Sequence, residues 1–402
     1  MKNKTFILLS LAGCALCVLF SNSALANHRA GDWALPSIMT AGDFDRDGNL
    51  DLAVNLSGFD NFAILNGNGH GGFTLKGHVA TDTLPRSVVS GDVNGDGKLD
   101  IVGISDWGYS IKVFLGDGLG GFHFSNVMNG DGEPAVVRLA DLDRDGNLDI
   151  LADGPEEGVL LIYFGRGGGA FTNSPLEFEG YPNLIQINTG DFNKDGNLDL
   201  AITYFEDKEV DGTHLQIFLG DGDRNFTVGQ NVVINSQCNN MEVTDLNKDG
   251  NLDLVLAGAI SENGIGLFIS SYLGDGAGNF TVQQVIDLGE GAIRGEISLA
   301  DFNEDGNLDV TYPLSSDGGM RGDFSMDLLI YLGDGAGNFT QGQTVTVGKE
   351  PGSTWTADFN KDGHMDIACS NRTDGTLSIL LGNGDGTFVT HATIQLNALS
   401  TP

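Results

Sequence analysis

Apolar residues in this chain fall in short runs, rich in β-branched and aromatic side chains and bounded by Gly, Asn, Asp and Ser. No stretch sustains the helical period of about 3.6 residues, so the runs predict strands. The first four read as one unit. Pro36 to Gly42 leads into a polar loop, Leu50 to Leu56 leaves it, Phe62 to Leu65 is a third strand, and Phe73 to Val79 is a fourth after a Gly-rich turn.

The polar loop is Asp43-Phe44-Asp45-Arg46-Asp47-Gly48-Asn49-Leu50-Asp51, and the same nine-residue pattern begins again at Asp92, Asp141, Asp191, Asp245, Asp301 and Asp358. Each copy has Asp at positions one, five and nine, Asp or Asn at three, Gly at six, and an apolar residue at two and eight. The starts are separated by 49, 49, 50, 54, 56 and 57 residues, the size of a four-stranded propeller blade. A second motif keeps step with the first. Leu65-Asn66-Gly67-Asn68-Gly69-His70-Gly71-Gly72-Phe73 is echoed at Leu115 to Phe122, Phe164 to Phe171, Leu219 to Phe226, Leu273 to Phe280, Leu332 to Phe339 and Leu381 to Phe388.

Two independent markers thus define seven units, approximately residues 36–80, 85–129, 134–178, 184–234, 238–287, 294–347 and 351–395. The expected fold is all-β: a single seven-bladed β-propeller of four-stranded blades, with a calcium loop in each blade and every blade contiguous in sequence. The residue before each loop is Gly42, Gly91, Ala140, Gly190, Thr244, Ala300 or Ala357. All are small, as expected of innermost strands crowding toward a central channel. Residues 27 to 35 and the tail after Gln395 are the material available for closing the ring.

The loop spacing has a chemical reason. Ca2+ is a hard cation that takes about six to eight oxygens at about 2.3 to 2.6 Å, and alternate side chains on a tightly curled loop supply them. The candidate ligands are Asp43, Asp45, Asp47, Asn49 and Asp51; Asp92, Asn94, Asp96, Lys98 and Asp100; Asp141, Asp143, Asp145, Asn147 and Asp149; and Asp191, Asn193, Asp195, Asn197 and Asp199. The last three loops offer Asp245, Asn247, Asp249, Asn251 and Asp253; Asp301, Asn303, Asp305, Asn307 and Asp309; and Asp358, Asn360, Asp362, His364 and Asp366. Position seven varies among Asn, Lys and His, so it can serve only through its backbone carbonyl. Glycine at position six allows the sharp turn at positive φ, and the apolar residues at two and eight would pin the loop to the core. An EF-hand would need Glu at position twelve, where this chain has Val54, Gly103, Ala152, Ile202, Leu256, Tyr312 and Cys369. The EF-hand reading fails.

The formal charge of −35 excludes nucleic acid as a partner, because phosphate binding needs Lys and Arg. Much of that charge belongs to the loops, which hold 23 Asp at positions one, three, five and nine. About seven structural Ca2+ would bring the net charge from −35 to −21. Met1 to Lys4 is basic, Phe6 to Phe20 is apolar but short for a bilayer, and Ser23-Ala24-Leu25-Ala26 is a small-residue cleavage site. This reads as a secretory signal peptide over residues 1–26, with the mature chain starting at Asn27. The rival reading is a lipoprotein box, Leu11-Ala12-Gly13-Cys14, with lipid on Cys14; mass spectrometry of the mature N-terminus separates the two. Cys238 and Cys369 survive cleavage and lie two units apart, too far to pair. No later stretch is long and apolar enough for a transmembrane helix.

The loop and the Gly-rich turn ending in Phe resemble the FG-GAP or VCBS repeat, the unit of the integrin α-subunit propeller and of related secreted bacterial proteins. The resemblance covers residues 36 to 394. It implies that the calcium loops join strands one and two on one face, while ligands meet the opposite face or the grooves between blades. Similar propellers include integrin heads, calcium-containing fungal lectins and domains appended to enzymes. Unlike integrins, this chain carries the metal motif in every unit and has no inserted adhesion domain.

Extra residues in the later units fall at Tyr204 to His214, Ala259 to Gly266 and Tyr312 to Met326, between the second and third strands. Such insertions are where repeat proteins place binding. The candidate ligand-binding residues there or nearby are Trp107, Tyr109, Tyr204, Arg294, Tyr312, Arg321 and Trp355, since aromatic faces stack on sugars and Arg binds carboxylates. Packing between blades is the alternative for each aromatic. Arg321-Gly322-Asp323 also spells an integrin-recognition tripeptide, a motif with a real false-positive risk in so Gly- and Asp-rich a chain. No nucleophile elbow, phosphate loop or redox Cys pair is visible. The expectation is a secreted or cell-surface monomer, a non-enzymatic recognition or adhesion module for a glycan or a surface protein. The alternatives are a polysaccharide-degrading lyase or hydrolase and a purely structural surface protein.

Overall fold

The computed structural model describes residues 36–81, 85–105, 110–129, 136–153, 159–174, 176–177, 184–205, 213–234, 237–260, 266–290, 296–314 and 325–396. Among them every regular element is a strand. Seven antiparallel sheets follow one another around a ring, each built from consecutive strands. The first blade has Pro36–Gly42, Asp51–Leu56, Asn61–Gly67 and Phe73–Ala80, within two residues of the strands expected from the pattern. The third blade differs only at its rim, where the outer strand is split into Phe171–Asn173 and Leu176–Glu177.

The core is not one mass but seven layers. Each of the seven hydrophobic clusters lies at the seam of two adjacent blades, and the cluster of Met39, Leu52, Ala368, Leu377 and Leu396 joins the first blade to the seventh. A second strand is therefore covered on both faces, by its own blade's neighbours at the sides and by adjoining blades above and below. All six residues of Asp51–Leu56 and of Asp366–Asn371 are buried, polar ones included. Outer strands alternate instead, as in Phe388–Gln395, because one face meets solvent. Cys238 and Cys369 are free and fully buried in different seams, and burial pushes both thiols up to about 12.

Before the first, second and fourth loops the small residue is a glycine with a cause other than the expected one. A Cβ added at Gly42 would lie 2.4 Å from Leu99 Cδ1, at Gly91 2.8 Å from Leu148 Cδ1, and at Gly190 2.7 Å from Leu252 Cδ1. The crowding comes from the position-eight leucine of the next blade, not from strands across the channel.

Candidate metal loops and an inter-blade groove

All seven loops lie among the described residues, on the face where first strands end and second strands begin. Each is tied by the same backbone bonds. The position-six N–H donates to the position-one carboxylate, from Gly48 to Asp43 at 3.0 Å through to Gly363 and Asp358 at 2.9 Å. That glycine has positive φ in every loop, between 79° and 95°. The position-two side chains, Phe44, Val93, Leu142, Phe192, Leu246, Phe302 and Phe359, are buried beneath the loops.

Position nine does more than the sequence reading assigned to it. Asp51 is fully buried; one carboxylate oxygen accepts from Phe44 N at 2.9 Å and the other from Gly67 N at 2.9 Å. The same two bonds recur at Asp100, Asp149, Asp199, Asp253, Asp309 and Asp366. This carboxylate latches the loop to the end of the third strand. The approach is so close that a Cβ on Gly67 would sit 2.0 Å from Leu50 O, which explains why the Gly-rich motif begins where it does. Burial pushes Asp51, Asp149 and Asp309 up to about 6 against the pull of those two N–H groups.

These residues suit a metal ion. Carboxylate oxygens of Asp43, Asp45 and Asp51 lie within 4.8 Å of one another, as do those of Asp141, Asp143 and Asp149. Position three is Asn in the other five loops, so an amide oxygen stands there in place of a carboxylate. Asp43 Oδ1 and Asp301 Oδ1, both at position one, are buried without a hydrogen-bond partner, the state of an oxygen shaped for a cation. The third loop differs, because Arg224 of the fourth blade donates from Nε to Asp143 Oδ2 at 2.8 Å while lying 4.3 Å from the Phe164 ring centroid.

The two repeated motifs meet across the seams. Phe44 packs edge-on against Phe122 of the next blade with centroids 5.3 Å apart, and Phe192–Phe280, Phe302–Phe388 and Phe359–Phe73 repeat the arrangement. Beside each pair a turn N–H donates to the preceding blade's loop, as from Gly120 to Phe44 O at 3.1 Å. A third contact went unread in the sequence. Position four adopts positive φ although it is Arg46, Arg144, Lys194, Lys248, Glu304 or Lys361. From there Arg144 donates to Asn197 at 3.1 Å, Lys248 to Asn307 at 2.7 Å and Lys361 to Gly48 O at 2.8 Å, always onto the next loop. The recurring cation at position four was the available signal. The second loop has Gly95 there and no arm.

Between the sixth and seventh loops the charges are exchanged, and Glu304 bonds His364. That bond raises the imidazole pKa above its ordinary value. In a proton-detected NMR titration the His364 midpoint is expected above that of a free imidazole, and to fall back in Glu304→Gln. An unchanged midpoint would remove the contact.

The sequence-predicted ligand residues divide. Trp107, Tyr109, Arg294 and Arg321, with its Gly322 and Asp323, lie outside the described residues. Tyr204 and Tyr312 are 1% exposed and offer no face to a ligand, which corrects the expectation for both. Tyr204 stacks on His214 and accepts from Asn231 Nδ2 at 2.8 Å, and Tyr312 packs in the seam of the fifth and sixth blades. Trp355 is half-buried on an innermost strand against the first-blade seam.

The face opposite the loops carries a groove of about 450 Å³ between the sixth and seventh blades. Met326, Thr346, Val347 and Gly348 form one side, and Asp374, Thr376, Ser378, Thr390, Thr393 and Gln395 the other. Asn371 Nδ2 donates to Thr376 at 2.9 Å and to Ser378 at 2.8 Å, fixing the deeper hydroxyls. Thr390, Thr393 and Gln395 project from the exposed rim strand. Nothing in the linear sequence marked this groove, because its two walls come from different blades.

Fold and loops together define a seven-bladed propeller with an acidic loop in every blade, two of which bring three carboxylates close enough to hold a metal ion. The FG-GAP-like repeat family matches residues 43–103, 92–152, 245–311 and 358–402, and the chain belongs to it. No match is found among curated proteins. Two similar solved structures are a protein from Lactobacillus plantarum, 12% identical over 89% of this chain and 95% of that chain with a TM-score of 0.61, and a candidate 6-phosphogluconolactonase from Bacteroides fragilis, 15% identical over 90% and 96% with a TM-score of 0.56. At such identities the likeness is one of fold. Among the described residues no helix is long and apolar enough to cross a membrane.

Proposed function

We propose that this protein is a calcium-stabilised, non-enzymatic recognition module that takes a glycan in the groove between the sixth and seventh blades. The observation that carries the reading is the lining of that groove, with five hydroxyl side chains, one amide and one carboxylate on the face away from the metal loops. Hydroxyls and amides both donate and accept, matching the hydroxyls of a sugar. Calcium is favoured for the loops because their donors are all hard oxygens. Glycoside hydrolysis uses a pair of carboxyl groups, whereas the groove has Asp374 alone, with one oxygen already accepting from Lys349 N at 2.8 Å.

The test is a glycan array probed with calcium-loaded protein, followed by incubation of each hit to look for cleavage. Retention without turnover is expected. Thr393→Trp, on the exposed rim strand, is expected to fill the groove and weaken retention at least about tenfold while leaving the melting temperature unchanged. Cleaved product would transfer the assignment to a polysaccharide-active enzyme, and full retention by Thr393→Trp would move the site elsewhere.

A further inference from the structure

The seam of the third and fourth blades departs from the repeat at three places that meet. In the Gly-rich turn, the residue two before the closing Phe is Gly71, Gly120, Gly169, Gly278, Gly337 or Gly386, but in the fourth blade it is Arg224. The six glycines have φ between 75° and 82°, and Arg224 keeps that left-handed backbone at 69°. An L side chain is strained there, and strain that a fold retains marks a residue with a task. Facing this turn, at the end of the preceding blade's third strand, five blades have leucine and the third has Phe164. A Cβ on Gly278 or Gly337 would come within 2.9 Å of such a leucine, whereas the Arg224 guanidinium carbon lies over the flat Phe164 ring, 4.3 Å from its centroid. The third departure is Asp143, at a loop position where five loops have Asn. Arg224 donates to Asp143 Oδ2 from Nε at 2.8 Å and also from Nη2, and the Asp143 side chain is only 5% exposed.

The first loop supplies the comparison. It has the same four aspartates as the third, at positions one, three, five and nine. Its Asp45 also takes a donor from outside the loop, but a neutral one, the Asn66 amide. In four of the five loops with Asn at position three, that amide itself donates to the position-five carboxylate, as from Asn193 to Asp195 Oδ2 at 3.0 Å. The third loop meets a second cation besides. Arg166 stands where the other six turns have Asp or Asn, and its Nη1 lies 3.9 Å from Asp145 Oδ2 at position five.

We infer that Arg224 is a resident counter-ion of the third loop, so that this loop binds calcium more weakly than the first although the two carry the same carboxylates. The inference rests on the calcium reading of the loops and is independent of the glycan reading. Both Arg224 bonds fall on Oδ2 and leave Oδ1 to the loop, where it accepts from Asp145 N at 3.3 Å. The loop is therefore not blocked; what it loses is negative charge. A guanidinium stays protonated at every physiological pH, and a like charge a few ångströms from a bound cation lowers the affinity for it. The same bond ties the fourth blade to the third loop, so this seam is held without the ion.

Crystals of the full chain equilibrated with Mn2+ over about 0.1 to 10 mM test it by anomalous scattering, because every loop is then read in one map. The third loop is expected to reach half occupancy at a concentration at least about tenfold above the first. Arg224→Gln keeps an amide donor like that of Asn66 without the charge, and should bring the third loop level with the first. Arg224→Lys keeps the charge and should leave the third loop weak. Equal filling of the two loops in the wild type, or a third loop that Arg224→Gln leaves unchanged, would overturn the inference. Peaks in no loop at all would overturn the calcium reading itself, a result distinct from loops that fill unequally.

Discussion

Removing calcium with a chelator is expected to lower the melting temperature of this propeller by about 10 °C or more. Extracellular calcium modules bind with dissociation constants near 0.1 to 1 mM, so a loop holding calcium as proposed would gain roughly 0.5 to 1.5 kcal/mol at about 1 mM ion. Seven loops then contribute on the order of several to ten kcal/mol, as large as the net stability of many domains. Acidity should modulate the loss. Asp51, Asp149 and Asp309 have folded pKa values pushed up to about 6, above the ordinary carboxylate value near 4. In metal-free protein such groups support folding below the unfolded value, and that support is lost as pH rises through about 6. Calcium needs the same carboxyls ionised. The gap between calcium-loaded and chelated melting temperatures is therefore expected to be widest above pH 7 and to narrow toward pH 5. Calorimetry over that range checks it, and a chelator with no effect at pH 7.5 would show that the loops are not metal sites.

Among single substitutions, Asp309→Ala is expected to be the most damaging, costing about 3 to 5 kcal/mol. Asp309 is fully buried and accepts from Phe302 N at 2.8 Å and Gly333 N at 2.8 Å. Truncation leaves both N–H groups buried and unpaired, at about 1 to 3 kcal/mol each, and also removes one of the proposed metal ligands. Asp305→Ala, at the exposed position five, removes a ligand without orphaning a buried group. Urea unfolding should separate the roles. With chelator present Asp309→Ala remains strongly destabilised and Asp305→Ala approaches the parent protein. Equal losses in chelator would mean that position nine acts only through the ion.

The sequence disclosed the ring because each blade announces itself twice, at the acidic loop and at the Gly-rich turn. The structure shows why both are needed: Phe44 of one motif packs on Phe122 of the other across a seam. What stayed hidden depended on covering. Tyr204 and Tyr312 read as ligand-facing because they adjoin insertions, yet second strands are sandwiched on both faces, so residues there are buried whatever their chemistry. The groove escaped because its two walls come from different blades and adjoin only in the closed ring.

The arms at position four give the loop face a sense of rotation. Every arm reaches forward, from Arg144 to the fourth loop, from Lys248 to the sixth and from Lys361 back round to the first. Four of the seven seams are thus joined loop to loop by a position-four side chain, and each reaches in the same sense. The second loop has Gly95 at that position and sends no side chain forward. Its seam with the third blade is bridged by the backbone instead, Gly168 N donating to Asn94 O at 2.8 Å.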